Sequence, residues 1–413
     1  MYMYDTIIIG GGIAGLYAAY KLIKKTPSIK ILVLERNRTG YLGGRAGNAD
    51  FAGTSVVTGA GIVRKKKDKL LIRLVKELGI SMYEFETKPA YSTVLESKQK
   101  CMVKETFQHL KSEYKDAKHS HLTFKRFATS ILTKEQYHQF IMCAGYTDYE
   151  NESAYDTLHH YGFDDNFTAW TGLSISWANL VDELAKKIGH KNIKMSQNVL
   201  EIEEKNDKPS LSSHPFFLLK TKTDRFETQK IIIATTIHSV KTLLKPLITK
   251  KQEKLYYQIH SQPFLRVYGK FSKESIPILK MAVPHLIIVP GPLHKIITMD
   301  QEKGVYMIAY TDNLPAEMLH EHTKNNKTNR DFFARLVEKS LGLPQTVLTI
   351  EEIAEWYWEA GTHYYEPLKG YETRKQFIKD GQHPHPNIMV VGEMISQNQG
   401  WVQGALESVE AVL

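Results

Sequence analysis

An α/β fold is predicted by three features at the start of this 413-residue chain. YDTIIIG is a β-branched run suited to a buried strand, GGGIAG follows it directly, and LYAAYKLIKK repeats apolar residues at helical spacing. Pro27 and Ser28 break that helix, and KILVLE reads as a second buried strand. Together these form a βαβ unit of the Rossmann-like kind. Gly10, Gly12 and Gly15 fill the GxGxxG pattern, and Glu35 closes the second strand 20 residues after Gly15. The glycines serve a tight turn, close approach of backbone to a diphosphate, and close packing of helix on strand. Free amides and the dipole at the helix start favour that anion, and a carboxylate at Glu35 suits a ribose diol.

Length at roughly 100 to 200 residues per domain suggests two or three domains. With 42% hydrophobic and 24% charged residues the chain can bury a sizeable core, which excludes a disordered or collagen-like protein. Cys101 and Cys143 lie 42 positions apart, and neither sits in a CxxC or His-spaced pattern. The expectation is therefore no disulfide framework, no zinc module and a reducing, cytoplasmic compartment. The net charge of +9, from 54 basic and 45 acidic residues, permits attraction to nucleic acid or an anionic membrane without requiring it. Its densest cluster, RKKKDK at 64–69, reads as a phosphate-contact patch, a nuclear-import signal or a solvated helix start. No run reaches the roughly 18 to 20 apolar residues that span a bilayer, and prolines and histidines interrupt the most apolar stretch, 281–297. Asp5 and several glycines interrupt the first apolar run, so no signal peptide is expected.

After Glu35 come Gly43, Gly44 and Arg45, then Gly59, Ala60 and Gly61, then an amphipathic helix expected over 67–78. In these motifs the sequence resembles the flavin-containing amine oxidase superfamily. The resemblance implies that the GGR loop covers the diphosphate of FAD and that the Gly-Ala-Gly turn lies beside the isoalloxazine. It is not complete, because Tyr41 stands where the family has an Arg, and the loop from Glu35 to Gly43 is longer.

The resemblance returns in pieces. WANLVDELAKKI has helical periodicity with Gly189 placed to end it, and NVLEIEE, FFLLKTK and FETQKIIIAT read as strands. By resemblance Val199 meets the adenine through its backbone. At the C-terminus a proline-rich turn, a buried strand, Gly392 and Glu393, a polar loop and a helix from near Gly400 follow in order. In the family these close over the flavin, which places Trp401 and Val402 against it and the helix N-terminus at the ring's carbonyl edge. The implied architecture is a Rossmann-like FAD-binding domain of the glutathione-reductase and amine-oxidase type, assembled from 1–80, 190–250 and 386–413. A mixed α+β substrate domain is inserted as 81–189 and 251–385. In the inserted parts Thr133 and Gln136 read as a capping box, FLRVYGKF and VYMIAYT as strands, and DFFARLVEKSLG as a helix stopped by Gly342 and Pro344.

A flavin carries the hydride chemistry itself, so the protein must position the substrate, exclude water and select. The segment 356–367, WYWEAGTHYYEP, resembles one wall of the aromatic cage of amine oxidases, with His363 in the first cage position, or Tyr364 after a shift of one residue. Trp401 takes the place of the opposing Tyr. Such a flat pair would orient an amine lone pair, but His with Trp departs from the usual two tyrosines, so monoamine specificity does not carry over. Thr362 stands where monoamine oxidases link the flavin through Cys, so FAD is expected to be non-covalent. Arg266 stands where many relatives have a Lys that holds a water for reaction with dioxygen. It lacks the compact ammonium charge, so slow reoxidation or another acceptor is expected, and Arg266→Lys should speed reoxidation in air. Metal binding is not expected, since the paired histidines lack a placed third ligand.

The leading reading is thus an FAD-dependent oxidoreductase removing two electrons from an amine C–N bond. One alternative is an enzyme like protoporphyrinogen oxidase or a desaturase, acting on an apolar substrate; another is a degenerate FAD-binding protein with a nucleic-acid or protein partner. An amino-acid oxidase would want an Arg beside the flavin for the carboxylate, which Arg266 would satisfy, and a polyamine enzyme an acidic tunnel that the sequence does not locate. The partner favoured is a small-molecule amine, with membrane and nucleic acid disfavoured and a homodimer left open.

Overall fold

The computed structural model describes residues 3–413 apart from 39, 89, 99 and 206–215. Strand Met3–Ile9 sits near the middle of a seven-stranded sheet, with Ile31–Leu34 parallel on one side and Arg225–Ile233 parallel on the other. Ile388–Val390 also pairs in parallel with Arg225–Ile233, so the C-terminal segment returns to the same sheet. Because side chains alternate along a strand and both faces are covered at the inner end, the positions 7–9 and 31–34 are all apolar. Ile8 and Val33 face helices Ile13–Lys25 and Trp177–Ile188, while Ile7, Ile9, Leu32 and Leu34 pack on helix Ile237–Leu244.

The second sheet has five antiparallel strands, in the order Leu286–Ile288, Lys295–Asp300, Val305–Asp312, Ile259–Phe271, Ile350–Tyr365. Helix Lys327–Leu341 covers it, burying Phe333 and Val337 against Leu265 and Ile308, and Gly342 ends the helix in the left-handed region at φ 70°. A helical layer between residues 93 and 166 packs Phe107, Phe124, Phe127, Phe140 and Phe163 into a separate aromatic core. There the Thr133 and Gln136 capping box forms, and Gly145 ends helix Lys134–Ala144 at φ 66°.

Three expectations need correction. Cys101 and Cys143 form a disulfide, with Cα atoms 5.6 Å apart. Folding of the helical layer brings the start of helix Val103–Glu113 beside the end of helix Lys134–Ala144, which overturns the reading of two free thiols and the argument from it for a reducing compartment. Helix Trp177–Ile188, assigned above to the substrate part, packs Trp177, Leu180 and Leu184 against Leu16 in the first sheet's core. The basic run at 64–69 is not a free anion-binding face. Arg64 is buried on Asp68 at 2.7 Å, Lys67 meets Asp165 at 2.7 Å, and Lys65 meets Glu84 at 2.6 Å. The amphipathic helix itself spans Lys69–Glu77. Among the described residues no helix is long and apolar enough to cross a membrane.

Candidate active site

A continuous cavity of about 1350 Å³ runs from the turn after the first strand, along the five-stranded sheet at Arg266 and Phe264, to Tyr146 and Asp148. At its first end lie Gly10, Gly12, Glu35, Gly43, Gly44 and Arg45. Gly12 caps the first helix in extended conformation, and no side chain bonds the free amides of that helix start. A Cβ on Gly15 would lie 2.0 Å from the Gly10 carbonyl oxygen, whereas one on Gly12 would meet nothing nearer than 3.9 Å and would project into open space. Gly15 is therefore needed for packing, and Gly12 leaves a cradle for a ligand. Glu35 is fixed at the wall, accepting from Gly11 N at 2.7 Å and Asn37 N at 2.8 Å. The loop carrying Gly43, at φ 99°, folds over the helix start through Gly43 N to Gly11 O at 2.9 Å. Val199 and Ala234 line the same end.

Midway, Gly59, Ala60 and Gly61 form one wall. A Cβ on Gly59 would fall 2.0 Å from the Arg45 carbonyl oxygen, so only glycine permits this approach. Arg266 is buried behind the turn. Its Nη2 donates to Gly59 O, and its guanidinium lies 4.1 Å from the centre of the Tyr310 ring. Trp401 and Val402, at the start of helix Val402–Glu410, line the opposite wall, and the Arg64 guanidinium stacks on the Trp401 ring at 3.6 Å.

Gly392, at φ 133°, turns Glu393 inward beneath this wall. Glu393 accepts from Arg45 Nη1 at 2.7 Å, from Gly400 N at 2.9 Å, and pairs with His363 Nδ1. Burial alone would raise the Glu393 pKa, but His363 and Arg45 outweigh it and hold the carboxyl well below its usual range. Burial lowers the His363 pKa, only partly opposed by Glu393.

His363 is thus not placed as a cage residue. Its side chain is buried, its Nε2 accepts from Ile237 N at 3.3 Å, and neither it nor Tyr364 lines the cavity; Thr362 does, beside Gly400. Trp358 also lines it and donates to Thr58 O at 2.6 Å, whereas Trp356 packs on Tyr268. Trp401 and Arg266 do reach the cavity.

At the far end stands a group that the motifs did not reveal: Tyr146, Asp148, Tyr161, Phe264, Lys295 and Tyr310. Tyr146 meets Tyr310 edge-on at 5.5 Å, and Lys295 Nζ lies 3.0 Å from the centre of the Tyr146 ring. Asp148 accepts from Tyr161 OH at 2.6 Å. Burial raises Asp148 to about 7, helped by Asp312, and lowers Lys295 to about 7. The sequence signal was thin: an aromatic and acidic loop after Gly145, and one Lys in an otherwise apolar strand.

The sequence model of the family described as flavin containing amine oxidoreductase matches residues 13–410. The chain belongs to this family. Among solved structures it is similar to a triple mutant of putrescine oxidase made for redesign of cofactor binding, at 16% identity and TM-score 0.75, covering 99% of this chain and 97% of that one. It is also similar to wild-type putrescine oxidase bound to putrescine, at 15% identity and TM-score 0.74, covering 99% and 98%. At such identity the likeness speaks for the fold alone.

As a flavin amine oxidoreductase the protein is an FAD-dependent oxidoreductase. The residues present fit the cofactor on structural grounds. The unfilled space over Gly12, the free amides behind it and the fixed carboxylate of Glu35 could hold a dinucleotide, while the glycines at 59 and 61 leave a flat wall midway along the cavity.

Proposed function

We propose that this enzyme oxidises the C–N bond of a small amine to an imine, which hydrolyses, with dioxygen or another acceptor completing the cycle. The observation that carries the reading is the continuity of one cavity, from the cradle at Gly12, past Gly59 and Trp401, to the polar far end at Tyr146 and Asp148. Bound FAD supplies the two-electron acceptor for the substrate's hydride. Gly10, Gly12, Glu35, Gly43, Gly44 and Arg45 hold the diphosphate and ribose, Gly15 packs the helix beneath them, and Val199 meets the adenine. Gly59, Ala60, Gly61, Gly392, Glu393, Trp401 and Val402 shape the space for the ring. The N-terminus of helix Val402–Glu410 faces that space and favours negative charge there.

Trp401 and Trp358 exclude water and restrict the amine, lowering the entropic part of the barrier. The cofactor is held non-covalently, since Thr362 is the residue beside Gly400. Glu393 acts by position, holding Arg45, His363 and Gly400 in one network. Asp148, Arg266 and Lys295 at the substrate end weigh against a polyene or porphyrinogen, because an apolar ligand would leave buried charges without solvation.

Anaerobic mixing of the purified yellow protein with a panel of amines, followed by visible absorbance, tests the reading. Bleaching by an amine is expected; no bleaching by any C–N substrate would sink it.

A further inference from the structure

A second cavity, of about 20 Å³, adjoins the large one and shares Asp148, Tyr161 and Thr362 with it. A space of roughly 10–15 Å³ is enough for one water, provided that polar groups surround it. Besides Asp148, the small cavity is lined by Glu152, His160, Gln262 and Arg374. Gln262 is fixed by its amide nitrogen, which donates to Asp148 O at 2.6 Å and to Thr362 Oγ1 at 3.1 Å. Arg374, at the start of helix Arg374–Gln382, pairs with Asp156 through Nη1 and donates from Nη2 to Gln397 O at 3.1 Å. Among the described residues, Gln262 Oε1 and Arg374 Nε are left buried with no hydrogen-bond partner. A buried acceptor and a buried donor at one water-sized cavity are the partners that an ordered water takes.

We infer that this cavity binds a water linking Asp148 to Glu152 and, with His160, forms the route by which the proton of an ammonium substrate leaves the large cavity. The inference rests on the reading of C–N oxidation and supplies a proton acceptor for it. An amine is largely protonated at neutral pH, and its nitrogen must be neutral before hydride leaves the neighbouring carbon. The substrate N–H bond breaks, its electron pair stays on nitrogen, and an O–H bond forms on Asp148, which lines both cavities. Asp148 then gives a proton to the water, the water gives one to Glu152, and half-buried His160 passes it to solvent. No oxidant or reductant takes part.

The surroundings set a pH dependence. Asp148 is faced by Tyr161, whose OH donates to it at 2.6 Å, and by Tyr146, Tyr149, Glu152, Lys295 and Asp312. Glu152 is faced by Asp156, Arg374, Thr157 and Tyr364, and His160 by Arg374, Asp156 and His159. Burial raises Asp148 to about 7 and Glu152 to about 8, and it lowers His160. The groups are thus matched for exchange of a proton near neutrality. Below that pH Asp148 already holds a proton and Lys295 is charged, and both oppose deprotonation of an ammonium. Flavin reduction should therefore speed up as pH rises through about 7.

Anaerobic stopped-flow mixing of the holoenzyme with the amine that bleaches its flavin fastest, in a pH series with an indicator dye, tests the route. Wild type should show a midpoint at about 7 and release a proton in step with bleaching. Asp148→Asn should bleach about a hundredfold more slowly at neutral pH, with its midpoint moved up to that of the free amine. Loss of the carboxylate lowers Lys295 further, so a limb set by that lysine would move down instead. Glu152→Gln should separate the two signals, its proton appearing about tenfold or more later than the bleaching. A high-resolution crystal structure should place a water within hydrogen-bond distance of Gln262 Oε1 and Arg374 Nε. Should Asp148→Asn fail to fold, Glu152→Gln and the water carry the test. A midpoint unshifted or moved down in Asp148→Asn, release in step with bleaching in Glu152→Gln, or protein atoms filling the small cavity would overturn the relay and leave C–N oxidation standing. Absence of bleaching by any amine would sink both.

Discussion

Arg45 Nη1 lies 2.7 Å from Glu393 Oε1 and so ties the loop after the second strand to the turn before the last helix. The same guanidinium nitrogen donates to Gly361 O at 2.9 Å, and the carboxylate also holds His363 and Gly400. Three segments distant in sequence, around Arg45, Gly361 to His363, and Glu393 to Gly400, meet on two side chains.

Glu393→Gln should destabilise the fold by about 2–3 kcal/mol, below the usual loss for a fully buried pair because Arg45 is partly exposed. Flavin should also be released more readily, since Gly400 loses its anchor beside Trp401. Denaturant unfolding and visible absorbance after dialysis check both. Stability equal to wild type would show the network to be dispensable.

Glycines at 15 and 12 should respond differently to one methyl group. Gly15→Ala pushes a Cβ into the Gly10 carbonyl and should lower thermal stability even without flavin. Gly12→Ala meets only open space, so it should fold with near-normal stability and bind FAD weakly. Melting of the apoproteins and flavin titration separate the two. Equal effects on folding would contradict the cradle.

Acidic groups behind the cavity give a pH signature. Burial raises Glu152 to about 8, with Asp156 adding to it and Arg374 and Thr157 opposing. A carboxyl whose folded pKa lies above its unfolded value stabilises at low pH, and that contribution is lost as pH rises from about 4 to about 8. Asp148 and Asp312 act in the same sense, while His294, lowered to about 4, and Lys295, lowered to about 7, act in the opposite one. The difference between wild type and Glu152→Gln isolates one group. The variant should gain on wild type steadily across that window and level off above it, as measured by unfolding at fixed temperature in a pH series.

Reduction of the disulfide between Cys101 and Cys143, which closes a loop of 42 positions, should cost about 3–4 kcal/mol by the chain-entropy estimate. Thermal unfolding with and without reductant measures it, and the double Ser variant should match the reduced protein.

How much of this was legible in the sequence follows from how far apart the deciding residues lie. The βαβ unit was readable because strand, glycine turn, helix and Glu35 are contiguous, so local periodicity and spacing suffice. His363 was misplaced for a local reason that spacing cannot show. Gln262 pairs with Thr362 but Phe264 pairs with Trp358, so two extra residues bulge out of the longer strand opposite Pro263, while Trp358 and Thr362 line the cavity and His363 accepts from Ile237 N instead. Proline lacks the N–H that would keep the ladder in step. The disulfide, across 42 residues, and the approach of Asp148 to Lys295 and Asp312 from a different part of the chain depend on tertiary packing, and no local pattern encodes them.

The strand Ile350–Tyr365 has its first residue in the core beneath helix Lys327–Leu341 and its last in the core beneath the parallel sheet, and its neighbour Ile259–Phe271 runs beside it for 13 residues. Such a pair works as a girder fixed at both ends. Bending it would break a ladder of hydrogen bonds and expose two hydrophobic cores at once, so the parts it joins cannot swing like jaws. The reaction chamber is consequently rigid at its centre, and admission of substrate falls to the periphery, where side chains and short connections move without disturbing the girder.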